Sequence, residues 1–487
     1  MQRPLENTWS LVLKGLFIGL LFLAMGGAIL FFAGADLAGG IPLLLLPFVA
    51  IFLSVVFMRP LIGVAALFYA NYFALGLARY VPGPLGLSVD GLLVLTWLSV
   101  FFSQFNQKVE WKRALKPMTY LAAIWFAYSL FQLVNPEAVS RIAWFYAMRG
   151  VSLYMFLTIP LVYILLPEKK FLDRLLKLWA YFTVLGVIKG IQQKFIGVDP
   201  WEDYWLDTIG GKTHRLPGGL RIFSFFSDSA TFGGSMGFSG VVFAILGLHT
   251  PKFKDKVFYL AVSGLAMFGL LISGTRGAMA VPAAGFALYA IFTKRPAIIA
   301  AVYGGMISVY GFLRWTNIGS SVYELRRIRS ALDPNNPSLL VRKENQRLLS
   351  GYLSSRPFGG GIGSAGNWGL RFSPGTFLAE TPTDSHYVQI WAEQGIIGLY
   401  LHLFTLFFFI LSSAYIILFR LKSFEFVGLG AAMTCGVFGL MGASYGSGAL
   451  QQMPNGIIVY AFMAYMWFLP KWEREGIEKG LVKVPVK

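Results

Sequence analysis

Long apolar segments recur along most of the chain, and no other feature restricts its fold so strongly. About fourteen of them reach or approach the roughly 17–25 residues that an α-helix needs to cross a bilayer. They lie at 11–33, 41–57, 60–78, 89–104, 117–134, 148–166, 174–195, 230–248, 257–273, 277–292, 297–313, 395–419, 425–445 and 455–470. Because a segment in lipid must satisfy its own backbone hydrogen bonds, we predict an all-α polytopic membrane protein. About 14 transmembrane helices are expected, and about 12–14 are compatible with the short segments that begin at Ile41 and Ser88.

The composition excludes most other classes of protein. Only 13% of the residues are charged and 56% are hydrophobic, whereas a soluble domain carries roughly 25% charged residues. The single cysteine, Cys435, lies in an apolar run, so neither a disulfide scaffold nor a thiolate metal site is expected. The first apolar run is too long for the apolar part of a signal peptide and has no cleavage site, so we expect no cleavable signal peptide.

The net charge of +18, from 41 basic and 23 acidic residues, has a topological explanation. Lys and Arg collect in the cytoplasmic loops of membrane proteins. Here they cluster in alternate loops, at 108–116, 169–174, 252–256, 294–295, 420–422 and 471–487. This alternation predicts that both termini are cytoplasmic. The chain has no nucleic-acid-binding motif, so no nucleic-acid partner is expected.

The same alternation divides the chain into six parts. These are N-terminal transmembrane helices at 1–195, a first outward-facing loop at 196–229, transmembrane helices at 230–313, a large outward-facing loop at 314–390, C-terminal transmembrane helices at 391–470 and a basic cytoplasmic tail at 471–487. A loop as long as the fourth part is typically functional. Within it, Asn336 and Pro337 favour the start of a helix that runs to about Ser354. A second helix is predicted to start near Asp384 or Ser385.

The large loop is rich in arginine for a segment that faces outward. Its basic residues, eight of them arginines, are Arg314, Arg326, Arg327, Arg329, Arg342, Lys343, Arg347, Arg356 and Arg371, and its acidic residues are Glu324, Asp333, Glu344, Glu380 and Asp384. Arginine stays charged and can bind phosphate through two parallel hydrogen bonds. The cluster therefore indicates an anionic ligand, with a solvated, salt-bridged surface as the alternative.

Three further residues place a charge or an imidazole at the membrane boundary. Arg221 precedes an aromatic, hydroxyl-rich run, and Arg276 lies in a tight turn between two apolar helices. Charge at membrane depth is usually paired or functional, although snorkelling to the interface explains Arg276 equally well. His386 stands where the arginine-rich loop meets a helix and suits general-base catalysis, with Asp384 and Glu393 as groups that orient it or share its proton. A structural role is the alternative for a lone histidine.

The sequence shows no pattern that predicts a metal or cofactor site. It has no clustered histidines, no paired carboxylates at ligand spacing and no Gly-rich phosphate loop after a strand. We expect no metal and no cofactor, and a transferase with this sequence would not be an obvious metal-dependent, nucleotide-sugar enzyme.

Three stretches in the second half of the chain resemble the O-antigen ligase and Wzy-type O-antigen polymerase superfamily of bacterial membranes. The turn Ser273-Gly-Thr-Arg-Gly-Ala278 is similar to the family's Ser-Gly-Ser-Arg-Gly turn. Leu340-Val-Arg342 and then Arg356-Pro-Phe-Gly-Gly-Gly-Ile-Gly363 resemble its arginine-bearing helix and glycine-rich loop. The block from Ser385-His386 to Glu393-Gln-Gly-Ile-Ile-Gly398 resembles its His-Asn block and the Glu-x-Gly-x-x-Gly that follows. Order and spacing agree from about Arg215 to Arg420, and the N-terminal helices match only in hydropathy.

The resemblance implies a glycosyltransferase whose donor is a glycan on undecaprenyl diphosphate. Arg221 and Arg342 would hold the diphosphate, and Arg276 and Arg347 would support it. Guanidinium groups would then stabilise the leaving diphosphate in place of a metal. His386 would deprotonate the acceptor hydroxyl, and a single displacement would invert the anomeric centre.

The resemblance leaves the acceptor open. Tyr387 stands where the family has Asn after the histidine, and Ser227-Asp-Ser replaces an Asp-Pro-Asn-like step. A polymerase of O-antigen or exopolysaccharide repeat units is favoured, because polymerases are the more diverse group. A ligase that transfers glycan to lipid A–core is the alternative. The implied location is the bacterial cytoplasmic membrane with a periplasmic active site, and the implied partners include membrane lipids, a flippase and a chain-length regulator.

A secondary transporter is the competing class of function. Transporters carry charged or polar sites near the bilayer midplane, often on broken helices within two repeated halves. Here the distinctive charges fall in outward-facing segments and no internal repeat is evident. A membrane scaffold would explain neither the histidine block nor the arginine cluster.

Overall fold

The computed structural model describes residues 19, 22–23, 25–27, 37–81, 83–105, 108–216, 219–321, 323–330, 332–333 and 335–482. Helices account for 77% of the structure, and β-structure is nearly absent from these residues. This confirms the predicted all-α class. Most of the predicted segment 11–33, the N-terminal residues before it and the end of the basic tail lie outside the described residues.

Helices of very different length follow one another along the chain. The α-helices are α1 (Leu37–Met58), α2 (Pro60–Leu77), α3 (Leu87–Ser103), α4 (Pro117–Phe131), α5 (Arg141–Met148), α6 (Tyr154–Leu165), α7 (Lys169–Ile191), α8 (Pro200–Trp205), α9 (Gly211–His214), α10 (Ser229–His249), α11 (Phe253–Ile272), α12 (Ala280–Phe292), α13 (Pro296–Trp315), α14 (Tyr323–Ser330), α15 (Pro337–Leu353), α16 (Gly366–Phe372), α17 (Phe377–Glu380), α18 (His386–Tyr415), α19 (Phe424–Ala443), α20 (Asn455–Tyr465) and α21 (Leu469–Glu478). Short 3₁₀ turns lie at Trp111–Ala114, Gln132–Val134, Arg276–Met279 and Met466–Phe468, and π turns at Arg149–Leu153, Gln192–Ile196, Leu206–Gly210 and Ile416–Arg420. Two strands, β1 (Arg215–Leu216) and β2 (Gly219–Leu220), pair antiparallel.

Eight helices of the described part of the chain are long and apolar enough to cross a membrane. They are Pro60–Leu77, Pro117–Val134, Arg141–Leu165, Ser229–His249, Phe253–Ile272, Pro296–Trp315, His386–Arg420 and Phe424–Ala443. Pro47–Met58, Leu87–Ser103 and Arg276–Phe292 are apolar but shorter. The predicted segments 174–195 and 455–470 are largely helical, in α7 and α20. α7 is long enough at 23 residues but is not among the apolar spans, and α20 has only 11 residues. The membrane class is therefore supported, and the count of about fourteen spans stays a prediction.

The chain divides into two compact units, and the first contains 1–69 and 87–110. In this unit α3 approaches α1 and the start of α2 through small and hydroxyl side chains. Ser99 Oγ donates a hydrogen bond to the carbonyl oxygen of Phe57, and a Cβ on Gly63 would lie 2.4 Å from Thr96 Oγ1. Small residues at helix contacts allow such close packing inside a bilayer.

The second unit contains 70–86 and 111–487, and its core is built around α10. Asp228 caps this helix, since its carboxylate accepts from the backbone N–H groups of Ala230 (2.8 Å) and Thr231 (2.9 Å). Almost every residue of α10 is buried, and the helix packs against α11, α12 and α19. Glycines make this packing close: a Cβ on Gly237 would lie 2.9 Å from Val281 Cβ. α10 is thus a central helix rather than a lipid-facing one.

The segment predicted as a large outward-facing loop contains four helices, α14 to α17, and then the start of α18. α15 begins at Pro337 and ends at Leu353, close to the predicted bounds. α18 begins at His386 with Ser385 as its N-cap residue, also as predicted. The side of the membrane on which this segment lies stays a prediction.

Candidate active site

The helix that begins at His386 folds back on itself at Gly395. Gly395 has φ 68° and ψ −171°, a backbone conformation that is essentially restricted to glycine. His386 and His402 lie on opposite sides of this break, and their Nε2 atoms are 3.1 Å apart. In one straight helix, residues with this separation in sequence would lie about 24 Å apart. The arms 386–394 and 396–415 therefore form a helical hairpin that brings two imidazoles into contact.

The glycine-rich loop after α15 is seated on this hairpin. The backbone N–H of Gly360 donates to the carbonyl oxygen of Ala392 at 2.9 Å, and that of Gly361 donates to the carbonyl oxygen of Glu393 at 2.7 Å. A Cβ on Gly395 would lie only 1.9 Å from the carbonyl oxygen of Pro357. Two of the three motifs found in the sequence are therefore one packed unit, and their glycines permit backbone-to-backbone contact.

The first arm of the hairpin is fixed against the turn that follows α19. The backbone N–H of His386 donates to the carbonyl oxygen of Ser444 at 3.0 Å. The Tyr387 hydroxyl donates to the carbonyl oxygen of Met441 at 2.7 Å. These bonds fix the start of the arm, and the His386 side chain is buried, with 6% of its surface exposed. Tyr387 thus has a positional role in this structure, in the place where the family has Asn.

Arg342 reaches the same turn from α15. Its Nε donates to Asp384 Oδ2 at 3.2 Å, and both side chains are about half exposed. A Cβ on Gly446 would lie 3.6 Å from Arg342 Nη1. A small open groove beside the pair is lined by α15, by residues 382–385 and by Tyr445. The predicted phosphate-binding arginine and the predicted base therefore both border the turn 444–446, which we call the Ser444 turn.

The segment that contains Arg276 reaches the Ser444 turn through Gly277, and Arg221 contacts the same segment. Gly277 packs there, because its own Cβ position lies 3.9 Å from the carbonyl oxygen of Gly446. Arg276 Nη1 donates to Ser330 Oγ at 2.9 Å. Arg221 Nη2 donates to the hydroxyl of Thr275, the residue before Arg276, at 3.2 Å. A continuous series of contacts therefore links three of the predicted arginines to His386.

The segment that carries Arg221 is held by Arg79, a residue that the sequence did not single out. The Arg79 guanidinium lies 4.5 Å from the ring centroid of Trp205 and 4.4 Å from that of Phe223. It donates to the carbonyl oxygens of Ser224 (2.7 Å) and Phe226. Burial lowers the pKa of Arg79 to about 10, so the group is still charged at neutral pH. Arg79 thus fixes the backbone immediately after Arg221.

Two predicted site residues make their contacts elsewhere. Glu393 is 1% exposed; its carboxylate accepts from Gln389 Nε2 at 3.1 Å and from the backbone N–H groups of Gly363 and Ala365, away from the imidazole of His386. Arg347 is exposed and forms a two-pronged ion pair with Glu344, the shortest contact being 2.7 Å. This pair raises the pKa of Arg347 and lowers the pKa of Glu344. The structure does not bring Arg347 to the Ser444 turn.

Among the described residues, no group of three or more His, Cys, Asp or Glu side chains could hold a metal ion. The residues joined by this series of contacts carry three guanidinium groups, one carboxylate and a pair of imidazoles. Such a set can neutralise an anionic leaving group and accept a proton beside it.

One family model matches the part of the chain that contains most of these residues. No curated protein matches the chain. Residues 261–403, less than a third of the chain, match the family model described as O-antigen ligase. The matched region contains Arg276, Arg342, His386 and His402 and excludes Arg221 and Arg79. The turn at Arg276, the glycine loop and the hairpin up to residue 403 lie within the matched region, and the match confirms the resemblance of the chain to the O-antigen ligase and Wzy-type superfamily.

Proposed function

We propose that the protein transfers a glycan from an undecaprenyl-diphosphate carrier to an acceptor hydroxyl at the outer face of the bacterial cytoplasmic membrane. The observation that carries the proposal is the series of contacts from Arg221 through Thr275 and the Ser444 turn to Arg342 and His386. The matched O-antigen ligase region supports a membrane enzyme that processes glycans. The donor, the acceptor and the side of the membrane are parts of the proposal.

Arg221, Arg276 and Arg342 would hold the diphosphate. Guanidinium groups bind phosphate oxygens through charge-assisted hydrogen bonds and remain charged at any physiological pH. Negative charge builds on the bridging oxygen as the bond to the sugar breaks, and fixed positive groups stabilise that transition state. Asp384 keeps the Arg342 side chain directed into the groove until the donor arrives. Divalent metal is then not required, and Arg347 stays a sequence-based prediction.

His386 would act as the general base. The acceptor oxygen attacks the anomeric carbon while its proton moves to the imidazole, and undecaprenyl diphosphate leaves with the electron pair of the broken C–O bond. Attack opposite to the leaving group inverts the anomeric centre. A positioned base of this kind contributes roughly a hundred- to ten-thousand-fold to the rate.

The acceptor defines the biological outcome. We favour a second lipid-linked repeat unit, which makes the protein a polymerase of O-antigen or exopolysaccharide with a flippase and a chain-length regulator as partners. Transfer to lipid A–core, a ligase reaction, is the second candidate, and the description of the matching family favours it.

The proposal is tested with purified protein in nanodiscs and undecaprenyl-diphosphate glycan from the host. We expect release of undecaprenyl diphosphate at the same rate with and without EDTA. A ladder of lipid-linked products identifies a polymerase, and one transfer to added lipid A–core identifies a ligase. No turnover with either acceptor, together with solute uptake into proteoliposomes, would replace the proposal by a transporter.

Replacing Arg342 with Gln should weaken donor binding and turnover by about 10- to 100-fold, since a hydrogen bond to a charged group contributes roughly 1.5–3 kcal/mol. The measurement is the initial rate of undecaprenyl-diphosphate release across a range of donor concentrations. Arg371→Gln is the matched control: this arginine is exposed in the same segment and lies over the ring of Phe372. Equal losses in the two variants would argue against a specific role for Arg342.

A further inference from the structure

The contact between His386 and His402 has a consequence for how the proposed base works. We infer that His402 is a positioning residue that selects the tautomer of His386, so that the lone pair used for catalysis is on Nδ1. This inference rests on the proposed function and adds to it a residue that the sequence pattern did not identify.

The imidazoles of His386 and His402 contact each other through their Nε2 atoms. Their Nε2 atoms are 3.1 Å apart, and the ring centroids are 5.1 Å apart with planes inclined at 72°. His402 is 4% exposed, so water does not readily replace His386 as its partner. A contact of this length between two ring nitrogens holds one proton, with one nitrogen as donor and the other as acceptor. Its position therefore sets the tautomer of both rings.

Only one of the two arrangements gives a base. When the proton is on His386 Nε2 and points at His402, the lone pair of neutral His386 is on Nδ1. When the proton is on His402 Nε2, His386 carries its own proton on Nδ1 and cannot accept another there. His402 must therefore offer an unprotonated Nε2, with its own proton on Nδ1.

The same contact stabilises the product of proton transfer. After the acceptor's proton reaches Nδ1, His386 is an imidazolium whose Nε2–H still donates to the lone pair of His402. No proton passes between the rings, and His402 stays neutral throughout. The arrangement resembles a base oriented by a hydrogen-bond acceptor on its far nitrogen, with a neutral imidazole as that acceptor.

Other polar groups near the histidine pair have hydrogen-bond partners elsewhere. Asp384 is paired with Arg342, and Glu393 accepts from Gln389 and from the backbone of the glycine loop. Trp125 lies beside His402, with ring centroids 5.2 Å apart and planes inclined at 40°, but its indole N–H donates to the carbonyl oxygen of Val151 at 2.8 Å. The ring of Tyr387 lies 5.6 Å from that of His386 between centroids, and its hydroxyl donates to the carbonyl oxygen of Met441. Within the described residues, His402 is thus the hydrogen-bond partner of His386 Nε2.

Two substitutions separate this role from simple packing. His402→Phe keeps an aromatic ring beside Trp125 and removes the acceptor nitrogen, and His402→Gln restores a polar group that can accept. We expect His402→Phe to lower kcat by about 10- to 100-fold, the usual effect of losing such a supporting partner, with KM for the donor unchanged. His402→Gln should recover most of kcat. Wild-type kcat in His402→Phe, or equal losses in both variants, would overturn the inference.

A double substitution distinguishes the inference from the proposed function. In a His386→Ala background, His402→Phe should have no further effect, because the two residues act as one unit. An independent further loss would overturn the inference.

Full activity of His386→Ala alone would remove the general base and the proposed mechanism. Loss of activity in His386→Ala with full activity in His402→Phe would remove only the role of His402. Thermal unfolding of each variant in detergent shows that the comparison is between folded proteins.

Discussion

Replacing His386 with Ala should lower kcat by about a hundred- to ten-thousand-fold and leave donor binding almost unchanged. The substitution removes the imidazole of a residue whose backbone N–H is bonded to Ser444 and which follows Asp384, the partner of Arg342, by two positions. The arginines that would hold the diphosphate are untouched, so the donor should still bind. The lower kcat should therefore reflect a slower chemical step. The rate of undecaprenyl-diphosphate release in a single turnover measures this step directly.

Donor binding provides the control for this experiment. Native mass spectrometry of His386→Ala should show bound lipid-linked donor at concentrations close to those needed for wild-type protein. The backbone bond from residue 386 to Ser444 does not depend on the side chain, so the hairpin should stay in place. An unchanged turnover rate would rule out His386 as the base.

Substituting Gly395 by Ala should have the largest effect on stability. A residue with a Cβ is strained at φ 68° and ψ −171° by roughly 1–3 kcal/mol. The added Cβ would also lie 1.9 Å from the carbonyl oxygen of Pro357, so the glycine loop must move away from the hairpin. Overpacking of this kind adds roughly 1–3 kcal/mol. The midpoint of thermal unfolding in detergent should fall, and activity should be lost because the two histidines no longer meet.

Gly351→Ala is the matched control for that substitution. Gly351 lies inside α15, and nothing is within 4 Å of its Cβ position. Alanine is favoured over glycine in a helix interior by about 1 kcal/mol, so this variant should be equally or more stable. If Gly395→Ala unfolded at the same temperature as Gly351→Ala, the two arms would not depend on the glycine.

The sequence predicts the outline of the site because its parts carry local signals. The N-cap pattern at Asn336 and Pro337 and the start of a helix after Ser385 both depend on neighbouring residues, and the structure places α15 and α18 accordingly. The apolar segments are equally local, which is why the membrane class is predictable. The spacing between motifs gives their order along the chain, but it does not predict which motifs contact each other.

The residues missed by sequence reasoning depend on long-range geometry. His402 lies in an apolar helical run, where helical periodicity separates it from His386. Only the reversal at Gly395 joins them, and the weak sequence signal for it is a glycine within the motif Glu393-Gln-Gly-Ile-Ile-Gly398. Arg79 is also far from Arg221 in the sequence. The residues around Arg79 give no sign that its guanidinium group contacts the rings of Trp205 and Phe223.

The contacts of Arg79 mean that the proposed site cannot be transferred to another protein as the matched region alone. The matched family region begins at residue 261, yet the segment after Arg221 is held by Arg79, which contacts Trp205 and Phe223, and all of these residues lie before residue 261. A chimera that exchanged 261–403 between two relatives would import the histidine pair and two of the arginines. It would take the placement of the third arginine from the recipient. In the proposed mechanism, the N-terminal half then contributes to how the carrier is held, while the matched region supplies the proposed base and its partner.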